Sequence, residues 1–116
     1  MNHSSEYIRG FTEYIILSIL SKFDSYGYEM TKVIHTVSDS YFSLTEATLY
    51  FALKRMEEDG QITSYYDKNK KGMTRKLYKI TQKGLDELVH FRNDWKVIEH
   101  NISNLVGGGF DYYKDE

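Results

Sequence analysis

Apolar residues recur at helical spacing through the first third of the chain. Residues 6–23, EYIRGFTEYIILSILSKF, place Tyr7, Phe11, Tyr14 and Leu17 along one stripe, which predicts a helix with Gly10 as a weak point. The turn-forming residues of DSYGYE follow. A second helix is predicted over about residues 27–38, and its expected buried stripe is Met30, Val33, Ile34 and Val37.

The stretch TEATLYFALKRMEEDG, residues 45–60, predicts a third helix with two unlike faces. Ser43 and Glu46 fit a capping box, although Thr45 is an alternative N-cap. Gly60 is expected to end the helix in a left-handed conformation. One face should enter the core through Leu49, Ala52, Leu53 and Met56. The opposite face carries Ala47, Tyr50, Phe51, Lys54 and Arg55, and an outward Phe51 raises the question of what that face contacts.

Two segments rich in Ile, Thr and Tyr come next, and their composition is typical of strands. They are QITSYYDK and TRKLYKIT, joined by NKKGM with Gly72 as the turn residue, so a β-hairpin is predicted. The chain has a formal net charge of −2, which argues weakly against a polyanionic partner. Residues 61–80, however, hold six basic and one acidic side chain, and local charge sets the field that a polyanion meets.

A long amphipathic helix is predicted from Gln82 to Val106, with Thr81 as its N-cap. Its apolar stripe has the 4, 3, 4, 3 spacing of a coiled-coil seam and consists of Phe91, Trp95, Ile98, Ile102 and Leu105. Leu85 and Val89 lie off this stripe and are expected to hold the helix to the hairpin. The stripe either packs on the first helix of its own chain or forms a dimer seam with the first helices of both chains, including Phe11. Residues 107–116 are expected to form a flexible tail.

Several classes of function find no support in the composition. The 116 residues suit one domain, and without Cys there are no disulfides or thiolate metal sites. The four His show no metal-ligand spacing, and no nucleophile–base set or phosphate-binding loop is recognisable. We therefore expect no metal, no cofactor and no enzymatic activity. No segment approaches the ~20 apolar residues of a membrane span, and the start lacks a secretory signal, so a cytoplasmic protein is expected.

The order of three helices followed by a basic hairpin is typical of the winged helix-turn-helix, a mainly α fold with a small β-hairpin. We predict a winged helix-turn-helix DNA-binding domain over residues 1–80 and a C-terminal dimerisation helix over 81–106. In such modules the last helix of the motif enters the major groove, where the Phe51 ring could meet a thymine methyl group. Lys68 and other hairpin residues would clamp the DNA backbone. The predicted DNA contacts are Thr45, Ala47, Thr48, Tyr50, Phe51, Lys54, Lys70, Lys71, Arg75 and Lys76.

Each of these features alone also has a structural explanation. A basic hairpin is commonly a solvated turn, and an outward Phe is commonly a protein-interface residue. The rival hypothesis is a dimeric interaction module of the same fold that does not bind DNA. Salt dependence separates the two, because neutralising phosphates makes affinity fall steeply with salt concentration.

Three motifs carry a resemblance to a known family: YGYE, LTEATLYFALKRMEEDG and GMTRKLYKITQKG. Together they resemble the PadR family of bacterial transcriptional regulators, over about residues 8–106. The resemblance implies a homodimeric repressor of a pseudo-palindromic double-stranded DNA operator, with Tyr50 and Lys54 among its DNA contacts. Met73 and Leu77 depart from the family pattern of an Arg after the Gly and an aromatic pair after Arg-Lys.

The single C-terminal helix with Trp95 resembles the short, LmrR-like members of the family. That likeness implies a small planar aromatic effector stacked between Trp95 and its symmetry mate. Tyr14 and Glu99 are expected to join this ligand site, and the carboxylate of Glu99 would favour a cationic ligand. The alternative is that Trp95 is a large anchor of the core.

Overall fold

The computed structural model of the protein describes residues 7–115. Helical residues Tyr7 and Ile8 lead into a 3₁₀ turn at Arg9–Phe11, which is followed by the elements α1 (Thr12–Leu20), α2 (Gly27–Val37), α3 (Glu46–Glu58), β1 (Ile62–Lys68), β2 (Thr74–Ile80) and α4 (Gln82–Gly107). This order confirms the predicted fold class. The predicted helix start at Glu6 and the end of the predicted tail at Glu116 lie outside the described residues.

The first predicted helix is interrupted near Gly10, and the first two helices both end earlier than their apolar patterns predict. Tyr7 and Ile8 are helical, the chain around Gly10 then forms a 3₁₀ turn, and α-helix resumes at Thr12 and ends at Leu20. In α2, Met30 and Ile34 are buried as predicted. The prediction was wrong for Val37, which is 80% exposed because it is the last residue of α2 and lies past the edge of the core.

The third helix is capped by Thr45 and not by Ser43. The backbone N–H of Thr48 donates to Thr45 Oγ1 at 3.2 Å, so the capping box was wrong and the alternative cap is confirmed. Gly60 has φ +78°, which confirms the left-handed end. All four predicted core residues of α3 are buried.

The core lies where α3 packs between the other elements. Its fully buried side chains come from all four helices and from β1 and include Ile16, Leu17, Met30, Leu49, Leu53, Met56, Ile62 and Leu88. Burying one such side chain stabilises the fold by roughly 1.5–3 kcal/mol. Since the inner face of α3 is fixed in this way, its outer face is held in a set orientation.

The predicted hairpin is present; it is antiparallel, with a register that runs from Ile62↔Ile80 to Lys68↔Thr74. Its base is joined to the loop between α1 and α2. Ser25, which is fully buried, pairs with Tyr78 through two backbone hydrogen bonds of 3.2 and 2.8 Å. The hairpin is therefore attached to the helical part of the fold by backbone pairing.

The last helix starts at its predicted cap, where the Gly84 N–H donates to Thr81 Oγ1 at 3.1 Å. It ends at Gly107, one residue past the prediction, and Gly108 is left-handed with φ +72°. Leu88 is 1% exposed and fixes α4 to the core. Val89 is 48% exposed, so the prediction that Val89 holds the helix to the hairpin was wrong; Leu85 is half-buried.

The far end of α4 projects from the rest of the fold, and the described chain measures 70 × 35 × 21 Å along its principal axes. Of the helices within residues 7–115, none is long and apolar enough to span a membrane.

Candidate nucleic-acid interface

The outward face of α3 lies in solvent, as the sequence predicts. Ala47, Phe51 and Lys54 are exposed, and the Phe51 ring is 82% accessible. No element within residues 7–115 covers this ring. The face therefore combines an apolar ring with a flexible cation one turn of helix apart.

The N-terminus of α3 presents two exposed hydroxyl residues. Thr45 caps the helix, and its hydroxyl lies 2.9 Å from that of Thr48. The first turn of an α-helix carries N–H groups without intrahelical acceptors and a partial positive charge, which suits a phosphate oxygen. This end of α3 can therefore approach a nucleic-acid backbone closely.

Tyr50 occupies the angle between α2 and α3. Its ring lies against Gly27, and a Cβ atom at Gly27 would be 2.8 Å from both Cζ and Oη of the ring. The side chain is still 44% exposed. Gly27 thus allows the Tyr50 ring to fill this angle and to keep one edge available at the surface.

The tip of the hairpin carries exposed lysines on a well-defined turn. The side chain of Asn69 accepts hydrogen bonds from the backbone N–H groups of Lys71 and Met73, at 2.9 and 3.0 Å. Gly72 is left-handed, with φ +78°. The positions Lys68, Lys70 and Lys71 are all exposed, so their charges are available to a polyanion.

The two basic residues at the start of β2 lie differently. Arg75 is half-buried, with its guanidinium carbon 4.7 Å from the centroid of the Tyr26 ring. The Nζ of Lys76 lies 3.9 Å from a carboxylate oxygen of Glu57 and 5.5 Å from the Tyr78 ring centroid. Both side chains therefore already have partners within the chain.

The acidic end of α3 is partly neutralised. Glu57 accepts a hydrogen bond from the Ser64 hydroxyl at 2.5 Å in addition to its contact with Lys76. Glu58 and Asp59 are exposed. Arg55 is held against α1 by a 2.8 Å ion pair with Glu13.

Two tyrosines of the hairpin have raised pKa values. Burial raises the pKa of Tyr78 to about 12, and Tyr50, Glu57 and Tyr66 add to the shift. The hydrogen bond to the Asp24 carboxylate raises the pKa of the Tyr65 phenol. Both phenols therefore hold their protons more tightly than a free tyrosine does.

A second cluster lies between α1 and α4 and contains the predicted ligand and dimer residues of that region. Tyr14 stacks on Phe91 with 3.8 Å between centroids, and Trp95 meets Phe11 edge-on at 5.5 Å. A cavity of about 520 Å³ opens beside these rings. The cluster shows that the proximal part of the seam packs on the first helix of its own chain.

The charged residue that lines this cavity is Arg92, which the sequence reasoning missed; Glu99 is exposed and lies outside the lining. Arg92 is fixed by a 2.9 Å hydrogen bond from its guanidinium to the Ser18 hydroxyl. Arg92 lies about one helical turn before Trp95, and Glu99 lies one turn after it. The position of α1 determines which of these two charged residues faces the cavity.

Beyond Trp95 the apolar stripe leaves the body of the fold. Ile98 is half-buried, whereas Ile102 and Leu105 are 54% and 63% exposed. Val97 and Val106, which the heptad pattern did not include, are exposed as well. Within the described residues this end of α4 has no covering element.

These features define a winged helix-turn-helix protein with a long C-terminal helix. A family model described as the transcriptional regulator PadR-like family matches residues 16–90, and the chain belongs to this family. The predicted family resemblance is thereby confirmed.

Similar proteins agree with this assignment. A transcriptional regulator from Clostridium thermocellum has a solved structure that is 37% identical, with a TM-score of 0.77 over 88% of this chain and 96% of that one. The negative transcriptional regulator PadR of Bacillus subtilis is 26% identical over 84% of this chain and 52% of its own, so this chain spans about half its length. The structure of Bacillus subtilis PadR in complex with operator DNA is 27% identical, with a TM-score of 0.60 over 73% of this chain and 46% of that one.

Proposed function

We propose that the protein is a sequence-specific DNA-binding repressor that acts in the cytoplasm as a homodimer. The observation that carries this proposal is the outward face of α3, where Phe51 is 82% exposed beside Lys54 while the opposite face is locked in the core. The similar PadR of Bacillus subtilis, which is named a negative transcriptional regulator and whose structure was solved with operator DNA, supports both DNA binding and repression.

In the proposed complex α3 lies in the major groove and the hairpin lies along the flanking backbone. Ala47 allows close approach, the Phe51 ring meets a thymine methyl group, and Lys54 reaches a base edge or a phosphate. Other contacts at the surface of α3 come from Thr45, Thr48 and the exposed edge of Tyr50. Lys70 and Lys71 at the hairpin tip supply affinity that depends on salt and not on sequence.

The distal end of α4 forms the proposed dimer seam. Ile98, Ile102 and Leu105 continue the heptad spacing into solvent, and exposed apolar surface of this kind marks an association site. A two-fold axis near this seam would place two copies of α3 at half-sites about 34 Å apart. The operator is accordingly expected to be a pseudo-palindrome.

We assign residues 1–80 to the DNA-binding domain, 81–106 to the dimerisation helix and 107–116 to a flexible tail. Phe11, Phe91 and Trp95 lie where the first two of these units meet and contact one another there. A signal from the helix to the DNA-binding domain would therefore pass through this aromatic cluster.

The cavity beside Trp95 is the proposed site of a small planar aromatic effector, as in the LmrR-like subgroup. Tyr14, Phe91 and Trp95 supply ring faces for stacking, and the lining is predominantly apolar. Since Arg92 and not Glu99 borders the cavity, neutral or anionic planar molecules should bind more tightly than cationic ones. Trp95 fluorescence with matched planar cations and anions tests this site; no change with either set would overturn the effector proposal.

The DNA-binding proposal is tested by fluorescence anisotropy with the protein's own promoter fragment and a scrambled duplex at two salt concentrations. We expect preference for the promoter and an affinity that falls steeply with salt. Lys54→Ala should weaken promoter binding, whereas Lys114→Ala in the tail removes the same charge far from α3 and should not. No DNA binding at either salt concentration would overturn the proposal and favour a protein-interaction module.

A further inference from the structure

Two side chains of the hairpin bind the loop between α1 and α2 on either side of Ser25. The Tyr65 hydroxyl donates to Asp24 Oδ2 at 2.6 Å. The Arg75 guanidinium carbon lies 4.7 Å from the centroid of the Tyr26 ring. Asp24 and Tyr26 directly flank Ser25, so three consecutive loop residues all contact the hairpin.

These contacts follow one another from the base of the hairpin towards its tip. Ser25 pairs with Tyr78, Tyr65 stands opposite Leu77, and Arg75 stands opposite Asp67. A two-stranded hairpin is marginally stable alone, and one attachment at its base would leave it free to tilt. Three attachments along its length restrict that tilt, in addition to the contacts of Glu57 with Ser64 and Lys76.

The position of Arg75 does not suit a contact to phosphate. Its side chain is half-buried, and among residues 7–115 its buried Nε atom has no hydrogen-bond partner. A guanidinium over an aromatic ring is stabilised by the electrostatic attraction of the ring face. Lys70 and Lys71, by contrast, are exposed at the tip and free of such a ring contact.

We propose that Tyr65 and Arg75 are positioning residues, which fix the angle of the hairpin relative to α3 and do not themselves contact DNA. The inference rests on the proposed function only for its effect on DNA binding. Loss of either contact widens the range of positions that the hairpin tip can take. Only a fraction of these positions places Lys70 and Lys71 at the DNA backbone. The apparent affinity falls in proportion to that fraction.

The first test needs no DNA. Because the chain has no Cys, Lys71→Cys at the hairpin tip and Glu58→Cys at the end of α3 introduce two unique spin-label sites. Labelled protein is diluted with excess unlabelled protein, so that pulsed dipolar spectroscopy reports distances within one chain. The distribution is compared with and without Tyr65→Phe and Arg75→Gln. Tyr66→Phe is the matched control, since Tyr66 is 71% exposed on the opposite face of the hairpin.

We expect Tyr65→Phe and Arg75→Gln each to broaden the distance distribution, with helical circular dichroism unchanged, and Tyr66→Phe to leave it as in the native chain. Unchanged distributions in both variants would overturn the positioning role, whether or not the protein binds DNA. Absence of DNA binding by the native chain would instead overturn the proposed function and leave this measurement valid.

The second test uses the salt dependence of promoter binding. The slope of log affinity against log salt is negative, and removal of a phosphate contact reduces its magnitude by about 0.9. Substitution of a positioning residue changes the affinity and leaves the slope constant. We expect Tyr65→Phe and Arg75→Gln to weaken binding by about three- to tenfold with an unchanged slope, and Lys70→Gln to reduce the slope. A reduced slope for Arg75→Gln with an undisturbed distance distribution would show a direct phosphate contact and overturn the assignment.

Discussion

The two halves of α4 carry apolar side chains at the same spacing but have different surroundings. In the proximal half, residues 82–95, Gly84 and Leu88 are buried and Phe91 stacks on Tyr14 of α1. In the distal half, residues 96–107, Ile102 and Leu105 are more than half exposed, and so are their neighbours Val97 and Val106. One regular pattern thus belongs partly to the core and partly to the surface.

The difference shows what an apolar stripe does and does not determine. Apolar residues spaced three and four apart indicate that one face of a helix avoids water, but they do not indicate which element covers that face. In the proximal half the cover is α1 of the same chain. In the distal half the stripe continues without a cover among the described residues, which is why we assign it to a second copy of the chain.

The largest expected effect comes from a change that separates the proximal half from the body. In Gly84→Ala the new Cβ would lie 2.2 Å from the carbonyl oxygen of Gln61, a backbone atom that cannot move aside. The better helix propensity of Ala offsets only part of this collision. We expect a loss of about 2 to 3 kcal/mol in the free energy of unfolding, measured by urea denaturation at fixed protein concentration.

Gly107→Ala is the matched control in the distal half. No neighbouring atom lies within 4 Å of its added Cβ, so stability should be unchanged or slightly higher. Equal destabilisation by the two substitutions would contradict the comparison, because it would mean that proximal packing is no tighter than distal packing.

The next effect is on association. Ile102→Asp combined with Leu105→Asp places two charges on the proposed seam and should raise the dimer dissociation constant by about thirtyfold, or roughly 2 kcal/mol. Analytical ultracentrifugation over a concentration series measures this directly. The neighbouring pair Asn101→Asp with Asn104→Asp adds the same charge without loss of apolar surface and should dissociate the dimer much less. A native chain that stays monomeric at high concentration would remove the distal half from the interface.

The parts of the fold that follow from local sequence were predicted well. Thr81 as a cap, Gly60 as a left-handed end and the hairpin around Gly72 each depend on a few adjacent residues. Leu88 was missed although it continues the stripe, since Gly84, Leu88, Phe91 and Trp95 are spaced 4, 3 and 4.

The parts that depend on distant elements were predicted less well. Val37 has the right spacing for the core but lies beyond its edge. The orientation of Arg75 against Tyr26, almost fifty residues earlier in the chain, could not be predicted from its charge. For the same reason the sequence pointed to Glu99 when the cavity is bordered by Arg92. The individual DNA, ligand and dimer roles remain predictions for the experiments proposed above.

A third prediction sharpens the comparison by using an exposed apolar side chain outside α4. Phe51→Ala should change the free energy of unfolding by less than about 0.5 kcal/mol, because the ring is 82% exposed in the folded chain. Promoter affinity should nevertheless fall by about tenfold, or roughly 1.4 kcal/mol, with dimerisation unchanged. Tyr112→Ala removes an equally exposed ring from the tail and serves as the control in the same anisotropy titration. Unchanged promoter affinity in Phe51→Ala would remove this ring from the DNA interface.

The last prediction concerns the phenol of Tyr78, which is buried in the closed body of the fold. Burial raises its pKa to about 12 in the folded protein, against about 10 in an unfolded chain. The folded state therefore holds this proton more tightly. The resulting stability is fully present below about pH 10 and is lost as the pH rises towards 12, where the unfolded state has already ionised.

Tyr78→Phe has no proton to lose, so the stability of the native chain relative to this variant should decline between pH 10 and 12. Urea denaturation at half-unit steps from pH 8.5 measures the decline, and the other tyrosines contribute alike to both proteins. Tyr112→Phe controls for the removal of one phenol at a position that is 85% exposed. A constant difference between the native chain and Tyr78→Phe across this range would mean that water reaches the Tyr78 hydroxyl. The junction between the hairpin and α3 would then be as open as the distal half of α4, and the contrast between a closed body and an exposed helix end would no longer hold at this point.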